Sequence, residues 1–212
     1  MLCQAMPNPP PPEWIEPTQT RSRQKVVRVL EAARTLLVQH STLDLKMTDV
    51  AKAAGVAVGT LYQFFPSRTA LIQKLFAEEM SVIDLSVEQT FYTLSDVSAL
   101  SAQIEKQLSG HIDLVRSRPA MMVIWGSVAV DPAVQSADLI NTRQNAAVLA
   151  ERILGQLGPD ADATAVLASA TLVCHLWSSV IRLCVQADPD EARAIIRQYS
   201  KMIATHTQSL AP

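Results

Sequence analysis

Apolar residues recur at spacings of three and four along most of the chain, and no stretch alternates with the period of two that marks a half-buried strand. The expected fold class is all-α. From Thr20, Val26, Leu30, Ala33 and Leu37 line one face of an amphipathic helix whose leading end carries Arg21, Arg23, Lys25 and Arg28. Residues 41–45 break the period. Residues 48–54 add about two turns before Gly55, which can take the positive φ that ends a helix. Residues 57–65 predict another short helix, stopped by Pro66 because proline disfavours α conformation in the residue before it. Ser67 then caps a long fourth helix through Leu71 and Leu75 to beyond Ile83. Further helices are predicted at roughly 99–116, 119–130, 132–157, 162–185 and 189–209. Pro119, Pro132 and Pro189 fall in first turns, where the missing donor has no intrahelical partner.

Ahead of these elements, residues 1–19 contain Pro7, Pro9 to Pro12 and Pro17 and read as a Pro-rich disordered or extended tail. Charge divides the remainder. The chain of 212 residues has a net charge of −2, but residues 21–75 carry nine Lys or Arg against Glu31, Asp44 and Asp49, a net of +6. Residues 76–212 carry nine basic and fifteen acidic side chains, a net of −6. One end is suited to a polyanion.

That basic end holds the most informative run. In Val50-Ala51-Lys52-Ala53-Ala54-Gly55-Val56-Ala57-Val58-Gly59-Thr60-Leu61-Tyr62, small residues at Ala51, Ala54 and Gly59 allow two helices to approach. Gly55 makes the turn, and Val50, Val56 and Leu61 form an apolar wedge, as a helix-turn-helix requires. The second helix then offers Ala57, Val58, Thr60, Tyr62, Gln63 and Phe64, short or flat enough for a major groove about 12 Å wide. Because that helix has few charges, phosphate contacts are expected from Arg21, Arg23, Lys25, Lys46, Lys52 and Arg68.

The joint pattern AxxAGVxxGTLYxxFxSR, residues 51–68, with Arg28-Val-Leu-Glu-Ala-Ala33 ahead of it, resembles the tetracycline-repressor (TetR) family over about fifty of the 212 residues. The resemblance implies a dimeric, ligand-responsive transcriptional regulator, most simply a repressor released from its operator by a small molecule. It makes residues 57–65 the recognition helix, places Tyr62 and Phe64 at phosphate-facing positions, and gives Arg68 the basic position at the start of helix four. The implied layout is a helix-turn-helix domain at 20–66 and a helical ligand-binding and dimerisation domain at 67–212. The implied partners are a near-palindromic double-stranded DNA operator, a small effector, and a second copy held through 162–185 and 189–209. Two positions depart from the family. Residues 41–46 replace its glycine-aromatic turn and capping Thr, so either Thr48 caps a later start or the cap is lost at about 1 kcal/mol. Phe64 lacks the polar group common there.

For an effector pocket, apolar helices carrying a few polar or adaptable groups point to His111, Met121, Met122, Trp125, Arg143 and Trp177. Each such residue type is more often core or surface than ligand-facing, and Arg143, among Leu139, Ile140 and Leu149, is the sharpest of the six. Residues 161–187 are apolar enough to span a bilayer, but Asp162, His175 and Arg182 make a buried interface helix the cheaper reading, with no membrane involved. Cys3, Cys174 and Cys184 lack CxxC spacing, and the first residues lack a signal-peptide pattern, so a reduced, cytoplasmic protein is expected. The four histidines show no metal-ligand spacing, and no nucleophile elbow, phosphate loop or dinucleotide fingerprint occurs. No enzyme, catalytic residue, metal or cofactor is expected. The competing reading is an architectural DNA-binding protein that responds to no effector.

Overall fold

In the computed structural model, which describes residues 14–92 and 100–208, the predicted period becomes α1 (Thr20–His40). This helix buries Val26, Val29, Leu30, Ala33 and Leu37 along one face and ends at Ser41, which adopts a left-handed conformation (φ 50°). The following turn is held by Leu43 and Leu45, both buried, and by the Asp44 amide donating to Thr42 Oγ1 at 3.1 Å.

Next comes α2 (Met47–Ala54), which starts one residue earlier than predicted. Its N-cap is Lys46, with no side-chain capping bond. An ammonium group has only donors to offer the amides there. Thr48 lies exposed inside the first turn, so it does not cap, and of the two alternatives the lost cap is the one realised. The other end is closed firmly. Gly55 sits at φ 63°, its N–H reaches the Lys52 carbonyl, and the Val56 N–H reaches the Ala51 carbonyl at 3.0 Å. This pair of bonds is a Schellman motif, and the left-handed residue it needs is the reason for glycine.

After that turn, α3 (Val58–Phe64) packs on α1 and α2. It is one residue shorter at each end than the predicted 57–65, because Ala57 and Phe65 have extended dihedrals and serve as caps. The Ser67 Oγ accepts the Ala70 N–H at 3.0 Å and starts α4 (Arg68–Tyr92), as predicted.

The remaining helices are α5 (Leu100–Arg116), α6 (Pro119–Gly126), α7 (Pro132–Leu157), α8 (Ala163–Gln186) and α9 (Pro189–Gln208). No strand occurs among the described residues. The predicted 119–130 helix stops at Gly126. Residues 127–130 form tight turns instead, with the Ser127 N–H on the Ile124 carbonyl and the Asp131 N–H on the Ser127 carbonyl. Asp131 then caps α7 by accepting the Ala133 and Val134 amides. Asp162 does the same for α8 through Thr164 and Ala165, and Asp188 for α9 through Asp190 and Glu191.

The helices divide into two compact units. Among described residues, 14–80 and 118–138 form one, and 81–92, 100–117 and 139–208 form the other. In the second, α5 packs on α8 and α9 through Leu108, Ile112, Ile181 and Ile196, and Ala146 and Ala150 of α7 meet Val166 and Ala170 of α8. One described helix, α8, is long and apolar enough to cross a membrane by length and composition alone. Within its unit it is a shared wall, contacting α5, α7 and α9. Cys184 is buried and Cys174 half-buried, and burial pushes the Cys174 thiol up to about 12. Cys3 lies outside the described residues.

The first unit contains an ion cluster. Glu79 of α4 is 1% exposed and accepts Arg34 Nε of α1 on one oxygen and Arg118 Nε, beside α6, on the other, both at 2.8 Å. Arg34 also reaches Glu78 at 2.6 Å. A buried carboxylate is tolerated only when paired in this way, and removing its charge strands the partners. Because the two guanidinium groups retain some solvent contact, Glu79→Gln is expected to cost about 2–4 kcal/mol, measured as a lower urea midpoint with an unchanged slope. A midpoint equal to wild type would make the cluster energetically incidental.

Candidate nucleic-acid interface

Seven residues are too few for a helix to persist alone in water, so the orientation of α3 comes from what it buries. Leu61 and Phe65 are 0% and 1% exposed. They anchor one side, and spacing then turns Ala57, Val58, Gly59, Tyr62 and Gln63 to solvent. Thr60 and Phe64, expected on the same open face, are half-buried. Of the expected wedge, Val50 and Leu61 are fully buried and Val56 partly so.

Small residues at the turn have separate roles. Ala51 and Ala54 are buried between helices, as expected. Gly59 is not a close-approach residue within the chain, since a Cβ added there would meet nothing within 4 Å. Its missing side chain leaves open space on the outer face of α3, next to Val58 and Tyr62. That is where a groove floor would come closest.

The expected cations fall into two groups. Arg21, Arg23, Lys25, Lys46 and Lys52 are exposed, as is Thr48. Arg68 is committed elsewhere. It donates to the Leu43 carbonyl at 2.6 Å and to Asp131 Oδ2 at 3.4 Å, which braces the turn before α2, although 39% of its side chain stays exposed. Sequence reasoning missed Asp131, whose only signal was an acidic residue ahead of Pro132. It also missed Trp14, Ile15, Glu16 and Lys74. Residues 14–19, read as part of the tail, run extended along the first unit: the Ile15 N–H reaches the Phe64 carbonyl at 2.9 Å, and Glu16 pairs with Lys74.

The proposed effector residues are distributed over both units. Met121 and Trp125 are buried in the first, where the Trp125 indole donates to Asp138 Oδ1 at 3.2 Å, whereas Met122 is exposed. In the second, Arg143 is exposed and His111 is buried. Trp177 stands edge-on to His111 at 5.7 Å and donates its indole N–H to Nδ1 at 3.1 Å. Trp177 also meets Tyr199 edge-on, and the Tyr199 hydroxyl donates to the Val173 carbonyl at 2.8 Å. Burial lowers the His111 pKa to about 4, so the ring is neutral at pH 7 and Nδ1 is free of a proton to accept that bond.

Comparison with known proteins gives two family matches. Residues 29–75 match the bacterial regulatory proteins of the tetR family, and residues 98–209 match the tetracyclin repressor-like C-terminal domain. The HTH-type transcriptional regulator Rv1255c of Mycobacterium tuberculosis is 27% identical over 199 residues, 94% of each chain. The HTH-type transcriptional repressor KstR of the same species is 34% identical over 68 residues, covering 32% of this chain and 31% of its own. Among solved structures, RolR in complex with its ligand resorcinol superposes with a TM-score of 0.58 at 16% identity, over 91% of this chain and 97% of its own.

Two outcomes follow from the side chains. Gly59→Ala should raise thermal stability slightly, by up to about 1 kcal/mol from helix propensity. It should also weaken duplex DNA binding by about tenfold, the scale of one spoiled base contact. A variant that binds DNA as wild type does would remove Gly59 from the interface. For His111, the folded pKa lies below the unfolded value, so the unfolded chain binds more protons between about pH 6.5 and 4. Stability should be full above that window and fall through it by up to about 3 kcal/mol. His111→Gln should flatten this loss in urea titrations at stepped pH.

Proposed function

Since the chain belongs to the TetR family of transcriptional regulators, we propose that it is a homodimeric repressor released from its operator by a small-molecule effector. The observation that carries the DNA-binding part is α3 itself, held by Leu61 and Phe65 so that Val58, Gly59, Tyr62 and Gln63 face outward from the segment of charge +6. Exposed Arg21, Arg23, Lys25, Lys46 and Lys52 supply phosphate contacts, Arg68 contributes through its free part, and residues 20–66 form the reading head. The open first turn of α2, with Lys46 and Thr48, takes a phosphate oxygen in place of a cap.

The regulatory part rests on residues 67–212. Leu172 and Leu183 of α8 and Met202 of α9 are 55%, 54% and 62% exposed in the single chain, which supports their burial by a second copy through 162–185 and 189–209. RolR's resorcinol and the repressor KstR support a small organic effector and a repressing role. His111 and Trp177, a neutral polar pair within apolar helices, are the strongest candidates for contacting it; Met121, Met122 and Trp125 follow, and exposed Arg143 is the weakest. The protein acts in the cytoplasm, where its operator lies.

The test begins by selecting duplexes from a randomised library with the full-length protein. The selected site should be near-palindromic, with half-sites about 34–36 Å apart or at a related spacing, and affinity should fall steeply with salt. Sedimentation should give a dimer at micromolar concentration. A metabolite panel should then yield a compound that weakens operator binding 5- to 150-fold, a coupling of about 1–3 kcal/mol, and by linkage the operator should weaken that compound's binding equally. A monomer on an asymmetric site would refute the dimer. Specific binding that no compound shifts would favour an effector-independent architectural protein.

A further inference from the structure

Just ahead of α1, residues 14–17 form a strap that the sequence did not announce and that lies outside both family matches, the first of which begins at residue 29. Five contacts define it. The Ile15 N–H donates to the carbonyl of Phe64, the last residue of α3, at 2.9 Å. The Glu16 carboxylate takes the Lys74 ammonium of α4 and the Trp14 indole N–H on the same oxygen. The Trp14 ring in turn lies 5.5 Å from that ammonium. Arg23 of α1 closes the loop by donating to the Pro17 carbonyl at 3.2 Å.

These contacts fall where α3 is weakest. The helix has no side-chain cap at its start, and the carbonyls of its last turn need donors from elsewhere. Leu61 and Phe65 set which side of α3 is buried, and the strap adds a backbone hydrogen bond at its carboxyl end. The strap joins the end of α3 to the second turn of α4, the two elements that flank Pro66. Lys74, whose side chain is only 16% exposed, is thereby spent on holding Glu16 rather than on phosphate.

We infer that the Trp14–Glu16 strap is a positioning element for DNA binding, which steadies the carboxyl end of α3 and hence the presentation of Tyr62 and Gln63 to the base edges. This rests on the reading of α3 as the recognition helix. The strap touches no DNA itself. Its effect is the order it imposes on the carboxyl end of α3 before DNA arrives, so that less ordering is left to be done on binding.

Charge-neutral probes separate positioning from electrostatics. Trp14→Ala removes the ring over Lys74, and Ile15→Pro removes the donor to Phe64. Against a duplex selected by the wild-type protein, each should lower affinity about three- to tenfold. The double variant should fall little further than the worse single one, and the salt slope should be unchanged because no phosphate contact is lost. Glu16→Gln provides a sign test: it removes a negative charge from the head, which by electrostatics alone would tighten binding, whereas loss of the strap weakens it. Hydrogen exchange provides a second readout without DNA. Deuterium uptake in a peptide spanning residues 58–65 should rise in the variants while peptides from α8 and α9 stay at wild-type levels. Wild-type affinity in both neutral variants, tighter binding by Glu16→Gln, or a rise in uptake spread evenly over the chain would overturn the inference. Failure of the wild-type protein to select any duplex would instead count against the DNA-binding reading, and the exchange measurement would still judge the strap.

Discussion

A helix of seven residues such as α3 cannot maintain itself in water, because nucleation costs more than so few hydrogen bonds return. That constraint organises the first unit. The helix buries enough to be held, yet leaves one face bare. Leu61 and the flanking Phe65 meet the first need with complete burial, and the bare face is populated by small or flat side chains. The Schellman turn at Gly55 fixes how α3 leaves α2. The extended dihedrals of Phe65 and the cap at Ser67 fix how α4 leaves α3.

Charge completes what apolar packing begins. Glu79 is buried between Arg34 and Arg118, so α1, α4 and the start of α6 are joined by interactions that work only in one arrangement. Apolar contacts tolerate sliding; a carboxylate with a guanidinium on each oxygen does not. Arg68 is a similar case. Its bonds to Leu43 and Asp131 tie the turn before α2 to the start of α7, and a residue that looks like a free phosphate ligand becomes a brace.

The second unit relies on a different balance. Its helices α8 and α9 are capped by aspartates at their starts, and Arg116 donates to the Cys184 and Ala187 carbonyls at the end of α8. Inside, the ring side chains are paired. His111 is buried neutral with Trp177 as its donor, and the Tyr199 hydroxyl uses a backbone carbonyl, so the chain of rings adds specificity without burying a charge. At its surface, α8 and α9 keep large apolar side chains exposed.

Much of this was legible in the sequence, because helical period, proline positions and the Gly55 turn are local properties. The buried residues of α1, the cap at Ser67, and the starts of α6, α7 and α9 follow from them directly. The helix-turn-helix was legible too, since its spacing is set by a close packing that few residue types allow. The errors arose where local rules leave a choice. Whether Thr48 or nothing caps α2 depended on where Leu43, Leu45 and Met47 found burial, and the turns after Gly126 depended on Asp131 gaining two amides and an arginine. Gly59 could signify helix contact or open surface, and only the neighbours of α3 distinguish these. The pairings of Arg34 with Glu79, of Arg68 with Asp131 and of Glu16 with Lys74 span 45, 63 and 58 residues. The sequence therefore determined the helices, their polarity and the reading motif, since these depend on residues within a few positions of each other. Tertiary structure decided which charges are spent inside the protein and which remain exposed, because an ion pair is formed by proximity in space, on which spacing along the chain is silent.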